Sequence, residues 1–491
     1  MPTDPKPRTL GELRRAGYRP KTVREEVHAN LIARLEAREP LFPGIIGYEE
    51  TVIPELVHAL LAGQNVIVLG ERGQAKSRLI RAMTGLLDPE IPVVAGSELN
   101  DSPFAPVSPA ARRRVAEAGD DCPIEWLTRA ARYAEKLATP DVSMADLIGD
   151  VDPIKVAEGR YLADELTIHY GLVPRANRGI FCVNELPDLP ERIQVGLFNV
   201  MEERDVQIKG YRIRLPLDLL VFATANPEDY TNRGRIITPL KDRFGAQVRT
   251  HYPRTPADEL RIVEQERARF ATAEARVVVP EFMAEIVAEL TALARRSSEI
   301  NQRSGVSVRV SIANDETLRS AALRRALQLG EAPAAPRITD LPALAASMRG
   351  KIELESVEEG REEAVIEDLT KRAVAAVFQR RLGGADVQDL VAAFEDGLSV
   401  TAGSTVPAAD YVRLRDTVRG LKGVVARLGG GSSPAETAAA VELVLEGLHL
   451  HRRLNRERVG GGWAYRRAAR EAEEPGPRPR REGRREEGRR P

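Results

Sequence analysis

The 491-residue sequence has few of the residues that build disulfide frameworks or metal sites. It contains two cysteines, Cys122 and Cys182, and six histidines, none of which forms a His-x-x-x-His pair. Two cysteines cannot supply a disulfide framework or a cysteine-rich zinc site, and the missing histidine pair argues against a protein-held catalytic metal. This composition suits a reducing compartment, so we expect a cytoplasmic protein.

The sequence also lacks an excess of charge and long apolar runs. Its 72 Lys and Arg balance 73 Asp and Glu, which leaves a formal charge of −1 and no global field to hold nucleic acid or an anionic membrane. No apolar run reaches the length of about 20 residues that a membrane helix needs, and the first residues lack a signal-like apolar region. We therefore expect neither a membrane nor a nucleic-acid partner. With 43% hydrophobic residues, the chain can build a sizeable core and more than one domain.

Hydrophobic periodicity predicts an α/β domain behind an N-terminal helical arm. The arm covers residues 1–40, with a helix around 25–39. Over residues 41–253, short β-rich runs alternate with helical patterns, which is typical of a mostly parallel sheet covered by helices. The predicted strands are 65–69, 91–94, 180–183 and 219–224.

The second half of the chain shows mostly helical patterns. Amphipathic stretches at 256–270 and 316–329 predict a helical domain over 254–399. Residues 400–470 are also predicted to be helical, with a flexible Gly/Ser linker at 429–434. Residues 471–491 consist of Glu, Arg, Pro, Gly and one Ala, so we predict a disordered tail. Its six Glu offset its seven Arg, which favours a solvated tail over a nucleic-acid-binding segment.

A phosphate-binding loop stands between the first predicted strand of the α/β domain and a helix. The pattern G-x-x-x-x-G-K-[ST] places loop amides and a helix N-terminus around an anion. Its last glycine is replaced by Ala75, whose Cβ restricts φ and crowds the loop. Lys76 would reach the β- and γ-phosphates of a nucleotide, and the Ser77 hydroxyl would ligate Mg²⁺. The alternative is a helix-capping loop that happens to contain Lys-Ser. The eight residues are Gly70, Glu71, Arg72, Gly73, Gln74, Ala75, Lys76 and Ser77.

A second motif is a buried strand that ends in Asn184 and Glu185, the pattern of a Walker B strand. The first position normally supplies an Asp to the magnesium shell, and the second a Glu that polarises the attacking water. Asn184 brings no charge, so metal affinity should fall, whereas Glu185 remains available as the base. The alternative is that both residues cap the helix that follows.

A third apolar strand ends in Thr224 and Asn226. Beside the Walker B strand, Asn226 would orient the water opposite the γ-phosphate, the role called sensor 1. Taken alone, the Asn-Pro pair at 226–227 is more typical of a turn.

With the three motifs in this order, the sequence resembles the AAA+ ATPases, in particular the ATPase (I) subunit of magnesium chelatase and its MoxR-type relatives. The resemblance implies a P-loop α/β core with insertions around 97–171, a helical lid, and ATP and Mg²⁺ as cofactors. The segments that carry it, within residues 41 to about 330, are 42–47, 70–77, 176–180, 184–185, 224–228, 240–245 and 307–309.

Two arginines acquire roles from this resemblance. Arg243, in an Asp-Arg-Phe-Gly motif, corresponds to the arginine finger inserted into a neighbouring subunit's site, and Arg309 corresponds to the sensor-2 arginine. A guanidinium fork suits both roles because it neutralises charge on the γ-phosphoryl group. Taken singly, each arginine would be read as a solvated surface charge. A site completed in trans implies a homo-oligomeric ring, a hexamer by resemblance.

The resemblance favours an ATP-hydrolysing motor subunit that remodels a von Willebrand A type partner for metal insertion or cofactor maturation. Ala75 and Asn184 support an alternative, a nucleotide-gated regulator or MoxR-like chaperone with weak turnover. A DNA-directed or transcription-activating AAA+ protein ranks last, because the sequence contains neither a Gly-Ala-Phe-Thr-Gly-Ala loop nor a helix-turn-helix pattern.

Overall fold

The computed structural model divides the chain into two compact units. One comprises Met1–Arg267, Ala294–Ala313 and Met348–Glu359, and the other comprises Ala268–Leu293, Asn314–Ser347 and Gly360–Pro491. The predicted tail at 471–491 and part of the predicted insertion lie outside the described residues. The structure describes residues 6–151, 168–202, 205–208, 211–227, 235–274, 276–302, 304–355, 360–385 and 387–467.

Strands and helices alternate through the first unit, and helices dominate the second. The strands are β1 (Val66–Leu69), β2 (Glu90–Val94), β3 (Ile124–Thr128), β4 (Tyr133–Leu137), β5 (Gly149–Val151), β6 (Ile168–Tyr170), β7 (Gly179–Asn184), β8 (Asp205–Ile208), β9 (Tyr211–Arg214), β10 (Leu219–Ala225), β11 (Ala246–Arg249), β12 (Val400–Gly403), β13 (Leu454–Val459) and β14 (Gly462–Arg467). The helices are α1 (Leu10–Arg15), α2 (Val23–Glu36), α3 (Val52–Leu61), α4 (Lys76–Ala82), α5 (Pro109–Ala118), α6 (Met144–Leu147), α7 (Leu172–Arg175), α8 (Glu191–Glu202), α9 (Thr238–Asp242), α10 (Pro256–Glu266), α11 (Ala271–Glu274), α12 (Glu281–Ala294), α13 (Val308–Leu329), α14 (Leu344–Met348), α15 (Arg361–Leu382), α16 (Gln388–Glu395), α17 (Ala408–Thr417), α18 (Leu421–Arg427) and α19 (Pro434–Leu450).

The first unit is built around a five-stranded parallel sheet in the order β11-β1-β10-β7-β4. Strands β1, β7 and β10 are buried along their whole length, which a parallel sheet covered on both faces requires. Alternate β1 residues face different cores: Ile67 and Leu69 join one apolar cluster, and Val66 and Val68 the other. The predicted α/β fold with a mostly parallel sheet is therefore confirmed.

Residues 97–171 are not purely an insertion. Strand β4, from within this segment, pairs in parallel with β7 and forms an edge of the central sheet. The predicted strand at 91–94 instead lies in β2, which pairs with β3 in a separate antiparallel ribbon. The residues of β4 are only partly buried, so the strand lacks the apolar run that marked the other core strands.

The predicted N-terminal arm is partly integrated into the core of the first unit. Helix α2 contributes Val23, Val27 and Leu31 to the apolar cluster that contains β1 residues. Glu26 on the same helix accepts two hydrogen bonds of 2.7 Å from Arg132, and both side chains are buried. The polar composition of residues 1–40 concealed this apolar stripe, which is only one residue wide at each turn.

The C-terminal part of the second unit contains strands that periodicity did not predict. Strands β12, β14 and β13 form an antiparallel sheet within the segment predicted to be helical at 400–470. Five of the six β13 residues are not buried, so the strand shows no apolar alternation. The predicted flexible linker at 429–434 is a turn in which Gly430 is buried and the Ser433 side chain caps α19.

Helix α19 carries buried carboxylates through the core of the second unit. Glu442 accepts hydrogen bonds from the Tyr411 hydroxyl at 2.7 Å and from the Thr339 backbone N–H at 2.9 Å. Burial is the main cause that raises the pKa of Glu442 to about 7. In the part of the chain that the structure describes, no helix is long and apolar enough to cross a membrane.

Candidate nucleotide-binding site

The three predicted motifs meet at the carboxyl edge of the central sheet. Strand β10 lies between β1 and β7, and the parallel register pairs Leu69 with Ala225 and Val183 with Ala223. Because parallel strands present their carboxyl ends at one edge, the residues that follow them converge there. The Gly70 backbone N–H donates to the Ala225 carbonyl at 3.1 Å, which fixes the start of the phosphate loop on β10.

Lys76 lies at the centre of this edge. Its Nζ donates to the backbone oxygens of Gly70 and Glu71, the latter at 2.9 Å, and to Asn226 Oδ1 at 2.6 Å. The structure thus brings the phosphate-loop lysine and the predicted sensor-1 residue into direct contact. An arriving phosphate would replace weak neutral acceptors around the ammonium with a charged one.

Two tyrosines that the sequence analysis missed orient the peptide planes of the phosphate loop. Tyr48 donates its hydroxyl to the Gln74 carbonyl at 2.8 Å, and Tyr252 donates to the Arg72 carbonyl at 3.0 Å. In a planar trans peptide the N–H points opposite to the C=O, so the N–H groups of the next residues point away from the tyrosines. Burial raises the pKa of Tyr48 to about 12 and also raises that of Tyr252, so both hydroxyls stay protonated donors. No motif marks either position.

Gln74 closes the base of the loop from inside. Its Oε1 accepts from the Glu71 backbone N–H at 3.1 Å and from the Thr250 hydroxyl at 2.8 Å. A Cβ on Gly70 would lie 1.8 Å from the Thr250 oxygen, so only glycine fits there. The buried Gln74 side chain therefore shapes the loop, and the backbone remains the part available to a phosphate.

Ala75 adopts the left-handed conformation that a glycine would adopt without strain, with φ 55° and ψ 19°. The sequence predicted that the Ala75 methyl group would crowd the loop. The residue is exposed, so the methyl group does not do so. The departure from the motif instead costs backbone energy, about 1–2 kcal/mol for an L-residue with a Cβ. Helix α4 begins at the next residue, as predicted, with Lys76 and Ser77 in its first turn.

Asn184 is the hub of a neutral hydrogen-bond network beneath the loop. Its Oδ1 accepts from the Ser77 hydroxyl at 3.2 Å, from the Thr224 hydroxyl at 3.4 Å and from the Cys182 thiol at 3.6 Å. Burial raises the pKa of Cys182 to about 12, so the sulfur keeps its proton. Thr224 also accepts the Glu185 backbone N–H at 2.9 Å, which ties β7 to β10 at the edge of the sheet.

This donor set fits Mg²⁺ only in part. Mg²⁺ is normally held by one or two carboxylates together with the phosphates of a substrate. Ser77 and Asn184 offer a hydroxyl and an amide oxygen, both neutral, and the amide oxygen is already engaged by three donors. No group of three His, Cys, Asp or Glu side chains that could hold a metal occurs among the described residues. The site therefore suits a magnesium ion that arrives on a nucleotide better than a resident ion.

Glu185 follows β7 in a left-handed conformation, with φ 59° and ψ 49°. This bend ends the strand, and the residue is only partly buried. A base for an attacking water needs access to solvent and to the edge of the sheet, and the half-buried position of Glu185 meets the first requirement.

The two predicted arginines lie in different surroundings. Arg243 follows α9 and places Nε 2.7 Å from Glu202 Oε2, at the end of α8, with its guanidinium over the Phe198 ring at 5.5 Å. This ion pair is about one-third exposed on both sides, and such pairs contribute about 1 kcal/mol or less. A role in a neighbouring site would require Arg243 to exchange this carboxylate for a phosphate.

Arg309 lies in the first turn of α13 with an exposed side chain. Its backbone N–H donates to Ser307 Oγ at 3.2 Å. Ser307 packs against the tip of the phosphate loop, where a Cβ on Gly73 would lie 1.9 Å from the serine oxygen, and Gly73 has φ +76°. The segment that carries Arg309 is therefore in contact with the loop.

Comparison of the sequence with known proteins identifies relatives of the chain. The chain is 32% identical over 239 residues to magnesium-chelatase subunit ChlI of Nostoc sp., covering 47% of this chain and 59% of that protein. It is 31% identical over 252 residues to the ChlI subunit of Synechocystis sp., covering 48% of this chain and 64% of that protein. The chain resembles magnesium-chelatase subunit ChlI over about half of its length. It spans less than two thirds of the length of these relatives.

Similarity to solved structures is weaker. A model of the complex between magnesium-chelatase subunits BchI and BchD has a TM-score of 0.34 and 21% identity, covering 66% of this chain and 98% of that chain. NtrX from Brucella abortus in complex with ATP has a TM-score of 0.38 and 14% identity, covering 79% of this chain and 72% of that chain. No protein family profile matches the chain.

Proposed function

We propose that the chain binds and hydrolyses MgATP as the motor subunit of an AAA+ ring and remodels a partner protein with a von Willebrand A domain. The similarity to magnesium-chelatase subunits supports a role in metal insertion or cofactor maturation. Assembly into a ring, a hexamer by resemblance, follows from the role proposed for Arg243, which would act on a nucleotide held by a neighbouring subunit.

The observation that carries the proposal is the direct contact between Lys76 and Asn226 at the carboxyl ends of β1 and β10. In this arrangement the Lys76 ammonium and the loop amides bind the β- and γ-phosphates. Glu185 takes the proton of the attacking water, and Asn226 orients that water. Arg309 and a neighbouring subunit's arginine finger then neutralise charge on the γ-phosphoryl group.

A second candidate is a nucleotide-gated regulator, or a MoxR-like chaperone, with weak turnover. The neutral Asn184 network and the left-handed Ala75 favour it. Without a carboxylate at position 184, the protein contributes little to holding the metal on the transferred phosphate, so hydrolysis should be slower than binding would suggest.

Substitution of Lys76 tests nucleotide binding. Calorimetry with a non-hydrolysable ATP analogue should show at least about a tenfold loss of affinity in Lys76→Ala, because hydrogen bonds to charged groups contribute about 1.5–3 kcal/mol. Lys422→Ala removes an exposed lysine outside the site and serves as the matched control. Unchanged affinity in Lys76→Ala would remove the loop from the nucleotide site.

Steady-state turnover separates the motor from the regulator. Glu185→Gln should bind the analogue as the wild type does and lose hydrolysis, because the amide cannot accept the proton of water. If wild-type protein binds ATP but turns it over no faster than Glu185→Gln, with or without a von Willebrand A partner, the regulator is the correct function.

A further inference from the structure

A buried ion pair outside the predicted motifs lies next to the nucleotide site. Arg295 donates through Nη1 and Nη2 to the two carboxylate oxygens of Glu259, at 2.8 Å and 3.0 Å. The side chains are 13% and 4% exposed. A bidentate pair of this kind fixes the plane and position of both groups, which a lysine in place of the arginine would not do.

On one side, this ion pair reaches the phosphate loop through an aromatic ring. The Arg295 guanidinium carbon lies 4.4 Å from the centroid of the Tyr252 ring. The Tyr252 hydroxyl donates to the Arg72 carbonyl, and that hydrogen bond sets the direction of the following Gly73 N–H. The position of Arg295 therefore bears on the orientation of a backbone amide of the phosphate loop.

On the other side, the ion pair holds the segment that carries Arg309. Arg295 Nε donates to the Val306 carbonyl at 2.9 Å, and Glu259 Oε1 accepts from the Ser311 hydroxyl at 2.6 Å. Val306 and Ser311 stand on either side of Arg309 in the sequence, so both ends of this short segment are fixed to one ion pair.

We propose that Tyr252, Arg295 and Glu259 are positioning residues that couple the conformation of the phosphate loop to the position of Arg309. A phosphate that attracts the Gly73 N–H rotates the peptide group between Arg72 and Gly73, and with it the Arg72 carbonyl that Tyr252 binds. Tyr252 can keep this hydrogen bond only if the Arg295 guanidinium, which lies against its ring, moves as well. The same guanidinium holds the backbone before Arg309. Through this connection, the phosphates bound in the loop affect the position of Arg309, which lies outside the loop, and Arg309 distinguishes ATP from ADP.

A structural explanation would be that the ion pair only stabilises the fold. Buried ion pairs contribute little net stability compared with well-packed apolar residues, so stability alone does not account for this geometry. A purely structural pair would change the melting temperature and leave the relative affinities for ATP and ADP unaltered.

The inference rests on the proposed nucleotide function, and it is tested by the ratio of ATP-analogue affinity to ADP affinity in the full chain. Tyr252→Phe keeps the ring and removes only the hydroxyl, and it should lower this ratio about fivefold, the effect of losing one hydrogen bond. Arg295→Lys should lower it further. Tyr465→Phe is the matched control, since it removes a buried hydroxyl that donates to Glu446 at 2.6 Å in the second unit.

A double variant provides the decisive measurement. Arg309→Ala should abolish the preference for ATP, and adding Tyr252→Phe should then lower it no further, because the tyrosine acts through the arginine. If wild-type protein binds neither nucleotide, the proposed function fails and the inference fails with it. If Arg309→Ala removes the preference but Tyr252→Phe and Arg295→Lys leave it at the wild-type value, the inference alone is wrong.

Discussion

Replacement of Asn184 by Asp tests whether the neutral network sets the magnesium dependence of nucleotide binding. The two side chains have nearly the same size, so the change adds a charge at a position that is 9% exposed and leaves the packing intact. The hydroxyls of Ser77 and Thr224 already point at Oδ1 and would stabilise one oxygen of the new carboxylate. The second oxygen becomes available to a water molecule bound to magnesium.

The hydrogen bond that this second oxygen accepts from the magnesium-bound water sets the expected gain in nucleotide affinity when magnesium is present. A hydrogen bond to a charged group contributes about 1.5–3 kcal/mol, which corresponds to about a tenfold to 150-fold change in an equilibrium constant. Without the metal the variant keeps a nearly buried charge that is only partly satisfied, so its melting temperature should fall below that of the wild type. Addition of MgATP should restore much of this loss by mass action.

The assay is a titration of an ATP analogue in excess Mg²⁺ and in excess EDTA, with the ratio of the two dissociation constants as the result. We divide the dissociation constant in EDTA by the dissociation constant in Mg²⁺. This quotient should be small for the wild type and at least about tenfold larger for Asn184→Asp. Asn455→Asp places the same change on an exposed position of β13 and should leave the ratio unaltered. Equal ratios in the wild type and Asn184→Asp would refute the assignment of this residue to the metal shell.

Three further predictions follow from the structure. Ala75→Gly should raise the melting temperature, because glycine adopts the left-handed conformation without the cost of about 1–2 kcal/mol, and an unchanged melting temperature would show that Ala75 is not strained. Mixing Arg243→Ala with Lys76→Ala subunits should restore part of the ATPase activity that each lacks, and an active wild-type monomer in ultracentrifugation would contradict a site completed in trans. The pKa of Glu442 is raised from 4.5 to about 7, so its contribution to stability is complete below about pH 4.5 and is lost as the pH rises through 7, a change of about 3 kcal/mol. Thermal melting between pH 5 and 8.5 should therefore show a flatter decline in Glu442→Gln than in the wild type.

The three inner strands of the central sheet, β1, β10 and β7, were predictable because they carry the strongest signals that a sequence offers. The buried runs at 180–183 and 219–224 are apolar on both faces, and each ends in polar residues. Parallel pairing then places those polar ends together without any further information. The contact between Lys76 and Asn226 is a consequence of this order of strands.

Other parts of the fold were not predictable, since their stability comes from contacts distant in sequence. Strand β4 has no fully buried residue, and it joins the edge of the central sheet through its pairing with β7. The sequence of helix α2 is mostly polar. Its place in the core depends in part on the ion pair between Glu26 and Arg132, which are 106 residues apart in the sequence. The roles of Tyr48 and Tyr252 were not predictable for the same reason, because both tyrosines are distant in sequence from the phosphate-loop residues that they contact.

The two departures from the phosphate-loop and Walker B motifs act on different parts of the site. Ala75 alters the energy of a backbone conformation in a loop where two tyrosine hydroxyls bind the carbonyls of Gln74 and Arg72. Asn184 removes a negative charge, and no carboxylate replaces it within the network of hydroxyl, thiol and amide groups around it. Under the proposed function, the loop backbone and Lys76 therefore remain to bind the phosphates, while the charge for holding a metal is reduced. Binding of nucleotide should accordingly depend steeply on Lys76, the cation at the centre of the site, and only weakly on the concentration of free magnesium.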